Sequence, residues 1–207
     1  MSLTIKLNQV GKRYKYEWII KNVNLELLPG HSYAVTGPNG SGKSTLLQIL
    51  SGYLTPSKGK VQFLQSQKEL DINSIYKDLS YAAPYIELVE ELTLTEMITF
   101  HFQFKKAQQQ ISTKEMIDLL GMKSSRHKAI KNFSSGMKQR LKLALAICSK
   151  TDLLLLDEPT SNLDQQGVEW YLSLMEKYTA DRLMVVASNV EVDFQFCKEK
   201  ISILDYK

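Results

Sequence analysis

Residues Gly37-Pro38-Asn39-Gly40-Ser41-Gly42-Lys43-Ser44-Thr45 fit the spacing G-x-x-x-x-G-K-[ST]. That spacing suits a loop that holds a polyphosphate. Its glycines let the backbone wrap so that successive N–H groups point inward at phosphate oxygens. A helix opening near Lys43 adds the positive end of its dipole. Lys43 then reaches the β- and γ-phosphates, and the Ser44 hydroxyl ligates Mg²⁺. An accidental glycine-rich turn is the competing reading. It does not explain why an apolar strand, Ser32-Tyr33-Ala34-Val35-Thr36, runs into the loop and a helix with Leu46, Leu47 and Leu50 at helical spacing leaves it.

A phosphate loop needs an acidic strand, and Asp152-Leu153-Leu154-Leu155-Leu156-Asp157-Glu158 supplies one. Four leucines bury the strand, and its end presents two carboxylates. Asp157 can hold Mg²⁺ through its water shell. Glu158 can take a proton from an attacking water as general base. An apolar strand ending in two acids often marks no more than a strand end, but here the glycine loop lies upstream.

These residues need a frame, and the chain reads in three zones. From about Leu3 to Thr36, Thr4-Ile5-Lys6-Leu7 and Val23-Asn24-Leu25-Glu26-Leu27 alternate like strands, with Pro29-Gly30 as a turn. From about Pro84 to Ser149 the chain is mostly helical. Leu94 to Phe104 and Lys114 to Leu120 show three-to-four spacing, Thr113 reads as an N-cap and Gly121 as a stop. The third zone alternates again, with apolar runs at Leu153–Leu156 and Leu183–Ala187 flanking a helix over Val168–Tyr178. Continuous apolar strands separated by helices indicate a parallel sheet covered on both faces. The expected class is therefore α/β, a single domain over residues 1–207. Residues 1–83 and 150–207 form its core and 84–149 a helical insertion.

Composition narrows the function. With 26 Lys+Arg against 22 Asp+Glu the net charge is only +4, and the basic residues are scattered among acids, so no nucleic-acid partner is expected. Two cysteines cannot build a disulfide framework, and Cys148, in Leu143-Ala144-Leu145-Ala146-Ile147-Cys148, reads as a small core residue. Met1-Ser2-Leu3-Thr4-Ile5-Lys6 has no apolar signal segment. The longest apolar runs fall far short of the ~20 residues that span a bilayer. A cytoplasmic protein is expected, with any membrane role exerted through a partner.

Three further segments occur in a telling order. Phe133-Ser134-Ser135-Gly136-Met137-Lys138-Gln139-Arg140 precedes the acidic strand and opens a helix, Pro159-Thr160-Ser161-Asn162-Leu163-Asp164 follows Glu158, and Ser188-Asn189 ends the next strand. With the glycine loop, the chain resembles the nucleotide-binding subunit of an ABC transporter over nearly its whole length. The resemblance implies a P-loop NTPase core with a mostly parallel sheet, an N-terminal antiparallel β subdomain and a helical subdomain carrying the signature helix. It implies ATP with Mg²⁺, a second copy of the chain or a homologous ATPase subunit, and a transmembrane permease at the cytoplasmic face.

In that family Phe133 to Met137 corresponds to an L-S-G-G-Q signature. Ser134 and the N–H groups of Ser135 and Gly136 would bind the γ-phosphate held by the other subunit, so that ATP joins two chains head to tail. Phe133, Ser135 and Met137 depart from the pattern, and Ser135 adds a side chain where glycine allows closest approach. Leu141, Leu143 and Ile147 beyond them read as core. Asp164 resembles an aspartate that touches the partner subunit, and it also fits a helix cap. Tyr14 in Gly11-Lys12-Arg13-Tyr14 resembles the ring that stacks on adenine, with Tyr16 and Trp18 behind it; a strand aromatic packed on the core is the alternative.

Two positions break the pattern. Counting back from Leu92-Thr93, the family's γ-phosphate-sensing glutamine falls on Pro84, whose side chain neither donates nor accepts. Glu87 would replace it only through a rearranged loop. The family's histidine falls on Asn189, which can donate to a phosphate but cannot take up a proton. Proton abstraction then rests on Glu158, and slow hydrolysis is expected. The leading reading is an ATPase that drives a permease. A soluble, ATP-dependent dimerising switch with little turnover is the alternative. A small-molecule kinase would leave the signature segment unexplained.

Overall fold

The computed structural model describes residues 3–207, so Met1 and Ser2 of the expected core lie outside the described residues. Contacts divide the chain into two units. The first holds residues up to Tyr81, Asp152–Glu158 and Asp181–Lys207; the second holds Ala82–Thr151 and Pro159–Ala180. The helix after the acidic strand, grouped with the α/β core in the sequence reading, falls in the second unit.

The first unit carries two sheets. β1 (Leu3–Tyr14) pairs antiparallel with β2 (Glu17–Leu27). Farther along the chain come β3 (Ser32–Thr36), helix α1 (Lys43–Leu50), β4 (Lys58–Gln65), β5 (Lys68–Glu69) and β6 (Leu79–Ala82). Strand order in the antiparallel sheet is β2-β1-β4-β5. β4 and β5 were not legible in advance: Lys58-Gly59-Lys60-Val61-Gln62-Phe63-Leu64-Gln65 buries only Phe63 fully, so its apolar alternation is weak.

The second sheet adds β7 (Leu153–Asp157), β8 (Leu183–Ala187) and β9 (Glu199–Ser202), in the order β6-β7-β8-β3-β9. Its β7–β8, β8–β3 and β3–β9 pairings are parallel. Every residue of β7 and of β8 is buried, which is why both read as unbroken apolar runs rather than alternating ones. One core joins Ile5, Leu7 and Phe63 of the antiparallel sheet to Leu46 and Leu50 of α1 and to Leu155 and Val185 of the parallel sheet. Each such side chain contributes roughly 1.5–3 kcal/mol on leaving water.

The second unit is helical: α2 (Leu94–Phe104), α3 (Thr113–Leu120), α4 (Ser135–Ile147) and α5 (Gln165–Tyr178). The cap of α3 differs from expectation. Ser112, not Thr113, is the N-cap, because Glu115 reaches back to it and completes a capping box. Gly121 ends the helix with φ +67°, a left-handed stop open to glycine. No helix among the described residues is long and apolar enough to cross a membrane.

His101, in the last turn of α2, ties that helix to the end of α4. Its Nε2 lies 2.8 Å from Ser149 Oγ, which donates to Leu145 O at 2.6 Å. Burial, with Lys105 adding to it, pulls the imidazole down to about 4 from 6.5. The folded chain therefore holds His101 neutral while the unfolded chain protonates it. The stability this contributes is complete above pH 6.5 and is lost as the pH falls toward 4. The loss is on the order of 3 kcal/mol. Denaturant unfolding across that range should show the decline, and His101→Gln should flatten it.

Candidate functional site

Strand register gathers the residues expected to hold phosphate. Val35 of β3 stands opposite Ala187 of β8, which stands opposite Asp157 of β7. One residue or two beyond this row, at the carboxyl edge of the sheet, come Gly37, Ser188 with Asn189, and Glu158. The backbone locks the row: Ser188 N–H donates to Val35 O at 3.1 Å and Glu158 N–H to Ala187 O at 2.8 Å. Carboxyl ends of parallel strands are where open α/β sheets bind ligands.

The glycine loop follows β3. A Cβ on Gly37 would lie 2.6 Å from Ile203 Cγ2, and one on Gly42 would lie 2.8 Å from Ile19 Cγ2; both have φ beyond +90°. Only glycine fits there, and its absent side chain is what exposes the loop amides. Lys43 begins α1, is 4% exposed, and donates from Nζ to Gly37 O at 2.9 Å and to Pro38 O at 3.3 Å. The ammonium is thus curled inside its own loop. Ser41 Oγ is buried with no hydrogen-bond partner among the described residues, a polar atom suited to a ligand. Asp157 is 1% exposed. Glu158 has φ +44°, a left-handed conformation that residues with a Cβ rarely take. Asn189 Nδ2 donates to Asn39 Oδ1 at 3.4 Å, so this side chain reaches the glycine loop.

The donor set fits Mg²⁺ held partly by phosphate. Ser44 and Asp157 supply a hydroxyl and a carboxylate, and no group of three or more His, Cys, Asp or Glu side chains among the described residues could cage a metal alone. Tyr14 ends β1 with 49% exposure, and the Lys12 ammonium lies 5.4 Å from its ring centroid. Trp18 is the packed ring of this hairpin: a Cβ on Gly11 would lie 2.9 Å from it. Thiol chemistry finds no support, since Cys148 is buried and burial pushes the Cys197 thiol up to about 12.

The second unit holds the remaining residues. Ser134 caps α4, its Oγ accepting from Met137 N–H at 3.2 Å. A Cβ on Gly136 would lie 3.1 Å from Asn162 O, and Gln139 Nε2 donates to Pro159 O at 2.8 Å. The start of α4 is therefore seated on the segment that carries Asp164. Asp164 caps α5, accepting from Gly167 N–H at 2.8 Å. Arg140 stacks on Trp170, 4.6 Å from its ring centroid; burial lowers its pKa, against the opposing pull of Asp164. Leu141, Leu143, Ile147 and Cys148 are fully buried.

Pro84 sits in a turn whose carbonyls are taken. Lys142 Nζ, from α4, donates to both Ala83 O and Pro84 O at 3.1 Å. Burial, with Lys138 nearby, lowers its pKa. Pro84, Ile86, Glu87 and Lys142 help line a cleft of about 630 Å³ within this unit. Sequence reasoning missed Lys142, although a cation inside Leu141-Lys142-Leu143-Ala144 on a buried helix was a visible signal.

A sequence model described as ABC transporter matches residues 20–161. The chain belongs to the ABC transporter family. An uncharacterized ABC transporter ATP-binding protein of Bacillus subtilis, YxlF, is 32% identical over 97% of this chain and 67% of its own length. A second from that organism, YcbN, is 31% identical over 82% of this chain. The chain spans 55% of that relative's length. Among solved structures, the dimeric post-hydrolysis ABC cassette MJ0796 bound to ADP and Pi matches with TM-score 0.79 and 24% identity, over 96% of this chain and 93% of that one. That likeness places the fold, a P-loop NTPase cassette with a parallel and an antiparallel sheet, as the ABC resemblance implied.

Proposed function

We propose that this chain is the ATP-binding and ATP-hydrolysing subunit of an ABC transporter, at the cytoplasmic face, driving a separate permease. One observation carries the reading: Val35, Ala187 and Asp157 share a row, so the glycine loop, Asn189 and Glu158 leave the sheet at one edge. The loop amides from residue 37 onward, with Lys43, grip the triphosphate. Tyr14, exposed at the end of β1, stacks on adenine. Ser44 and Asp157 would hold Mg²⁺, which would supply positive charge to offset that of the triphosphate. Glu158 orients water and accepts its proton as the water oxygen bonds to the γ-phosphorus. The bond from that phosphorus to the β-phosphate bridge oxygen breaks, and ADP and inorganic phosphate leave. Asn189 donates to the γ-phosphate.

Ser134, Ser135 and Gly136 bind the γ-phosphate held by a second copy or a homologous subunit, with Asp164 at that interface. The MJ0796 cassette, dimeric with ADP and Pi bound, supports the association of two such chains. Residues Pro84 to Glu91 dock on the permease. No nucleic acid is involved. Pro84 and Asn189, lacking the family's glutamine and histidine, favour a second reading in which the chain dimerises on ATP with little turnover.

Size-exclusion chromatography with light scattering, with and without MgATP, tests the proposal. A Glu158→Gln chain should shift to dimer only with MgATP, and native purification should retain a polytopic membrane protein. A chain that stays monomeric under both conditions would reject a second copy as the mate. Steady turnover separates the transporter ATPase from the switch.

A further inference from the structure

Asn189 is exposed, and its one hydrogen bond to the glycine loop is long at 3.4 Å. Its side chain is weakly held, so its aim has to come from its backbone. That backbone is bracketed by a buried pair. Ser188 is 0% exposed and Asp193 1%. Ser188 Oγ donates to Asp193 Oδ2 at 2.5 Å and accepts from Val190 N–H at 3.0 Å. Asp193 N–H in turn donates to Val190 O at 3.1 Å. The hydroxyl therefore ties down the residues on both sides of Asn189, while Ser188 N–H anchors the near side to Val35 at the mouth of the glycine loop.

A carboxylate is an expensive choice for holding a loop. Burying one is tolerated only when it is hydrogen-bonded, and a hydroxyl-to-carboxylate bond is about twice as strong as a neutral one. We propose that Asp193 is a positioning residue for ATP hydrolysis: through Ser188 it fixes the turn that aims Asn189 at the γ-phosphate. The assignment rests on the hydrolytic reading above. Asp193 does not touch nucleotide. It sets how often Asn189 stands where it can donate, so its loss should lower kcat while ATP binding by residues 37–45 is unchanged.

Steady-state ATPase kinetics on the full chain test this with Ser188→Ala, Asp193→Asn, Asn189→Ala and the paired variants. Each single variant should lose roughly tenfold in kcat, within the ~10²-fold that a misplacement of about 1 Å can cost. KM for MgATP should stay within about a factor of two, because the interaction acts in the transition state only. In the Asn189→Ala background neither Ser188→Ala nor Asp193→Asn should cost more. Losses that multiply in that background, or a KM that rises with the fall in kcat, would overturn the assignment and leave the pair a structural prop. Ser188→Ala carries the test if Asp193→Asn does not fold. A wild-type chain with no turnover would overturn the hydrolytic reading and the assignment together, whereas turnover with multiplying losses would overturn the assignment alone.

Discussion

Glu158→Gln is expected to cut ATP turnover by about 10²–10⁴-fold, the usual worth of a general base, with little change in ATP affinity. The amide keeps the size and one acceptor of the carboxylate but cannot take a proton at neutral pH. No neighbour can stand in. Asn189 has no basic nitrogen, and the three histidines are His31, His101 and His127, none of them at the row that carries Glu158. His31 pairs with Glu199 at 2.7 Å, His101 with Ser149 at 2.8 Å, and His127 Nε2 accepts from Arg126 Nε at 3.0 Å. Turnover and nucleotide binding measured on the same preparation check this. A variant that hydrolyses ATP at the wild-type rate would remove Glu158 from the chemistry.

Lys43→Ala should cost both binding and turnover. Its Nζ lies within the glycine loop, bonded to two loop carbonyls, and in the proposed reading it turns from them to the phosphates. Charge-assisted bonds contribute about 1.5–3 kcal/mol each, so losing two from the ammonium to phosphate oxygens should raise Kd for MgATP by roughly 10²–10⁴-fold. Titration calorimetry reads this directly. Lys43→Arg should rescue poorly, because a planar guanidinium does not fit where a compact ammonium curls against the loop. An unchanged Kd in Lys43→Ala would mean that the loop does not hold the triphosphate.

The contrast between these residues and the others shows what the sequence could carry. The glycine loop, β7 and β8 were legible because their signals are local: fixed spacing, or an apolar run long enough to need two covered faces. α2 was legible to the residue, since its apolar stripe and its Thr93-to-Glu96 capping box lie within a few turns. β4, β5 and β9 were not. They are short or largely exposed and owe their pairing to strands far off in the chain. The proposed role of Asp193 was hidden for a related reason. It acts through a loop-specific hydrogen bond with Ser188, and neither residue type nor spacing announces such a bond. Asp164 was legible as a cap because the N-cap pattern is local.

The backbone at Glu158, with φ +44°, costs a residue with a Cβ on the order of 1–3 kcal/mol and glycine almost nothing. Glu158→Gly should therefore yield folded, long-lived protein rather than material that quality control removes. Under the proposed head-to-tail reading, such a chain would still grip ATP and still present residues 134–136 to its mate. In a cell expressing both forms, silent copies would sit in mixed pairs and stall active ones, so a lesion here would be felt out of proportion to its share of the pool.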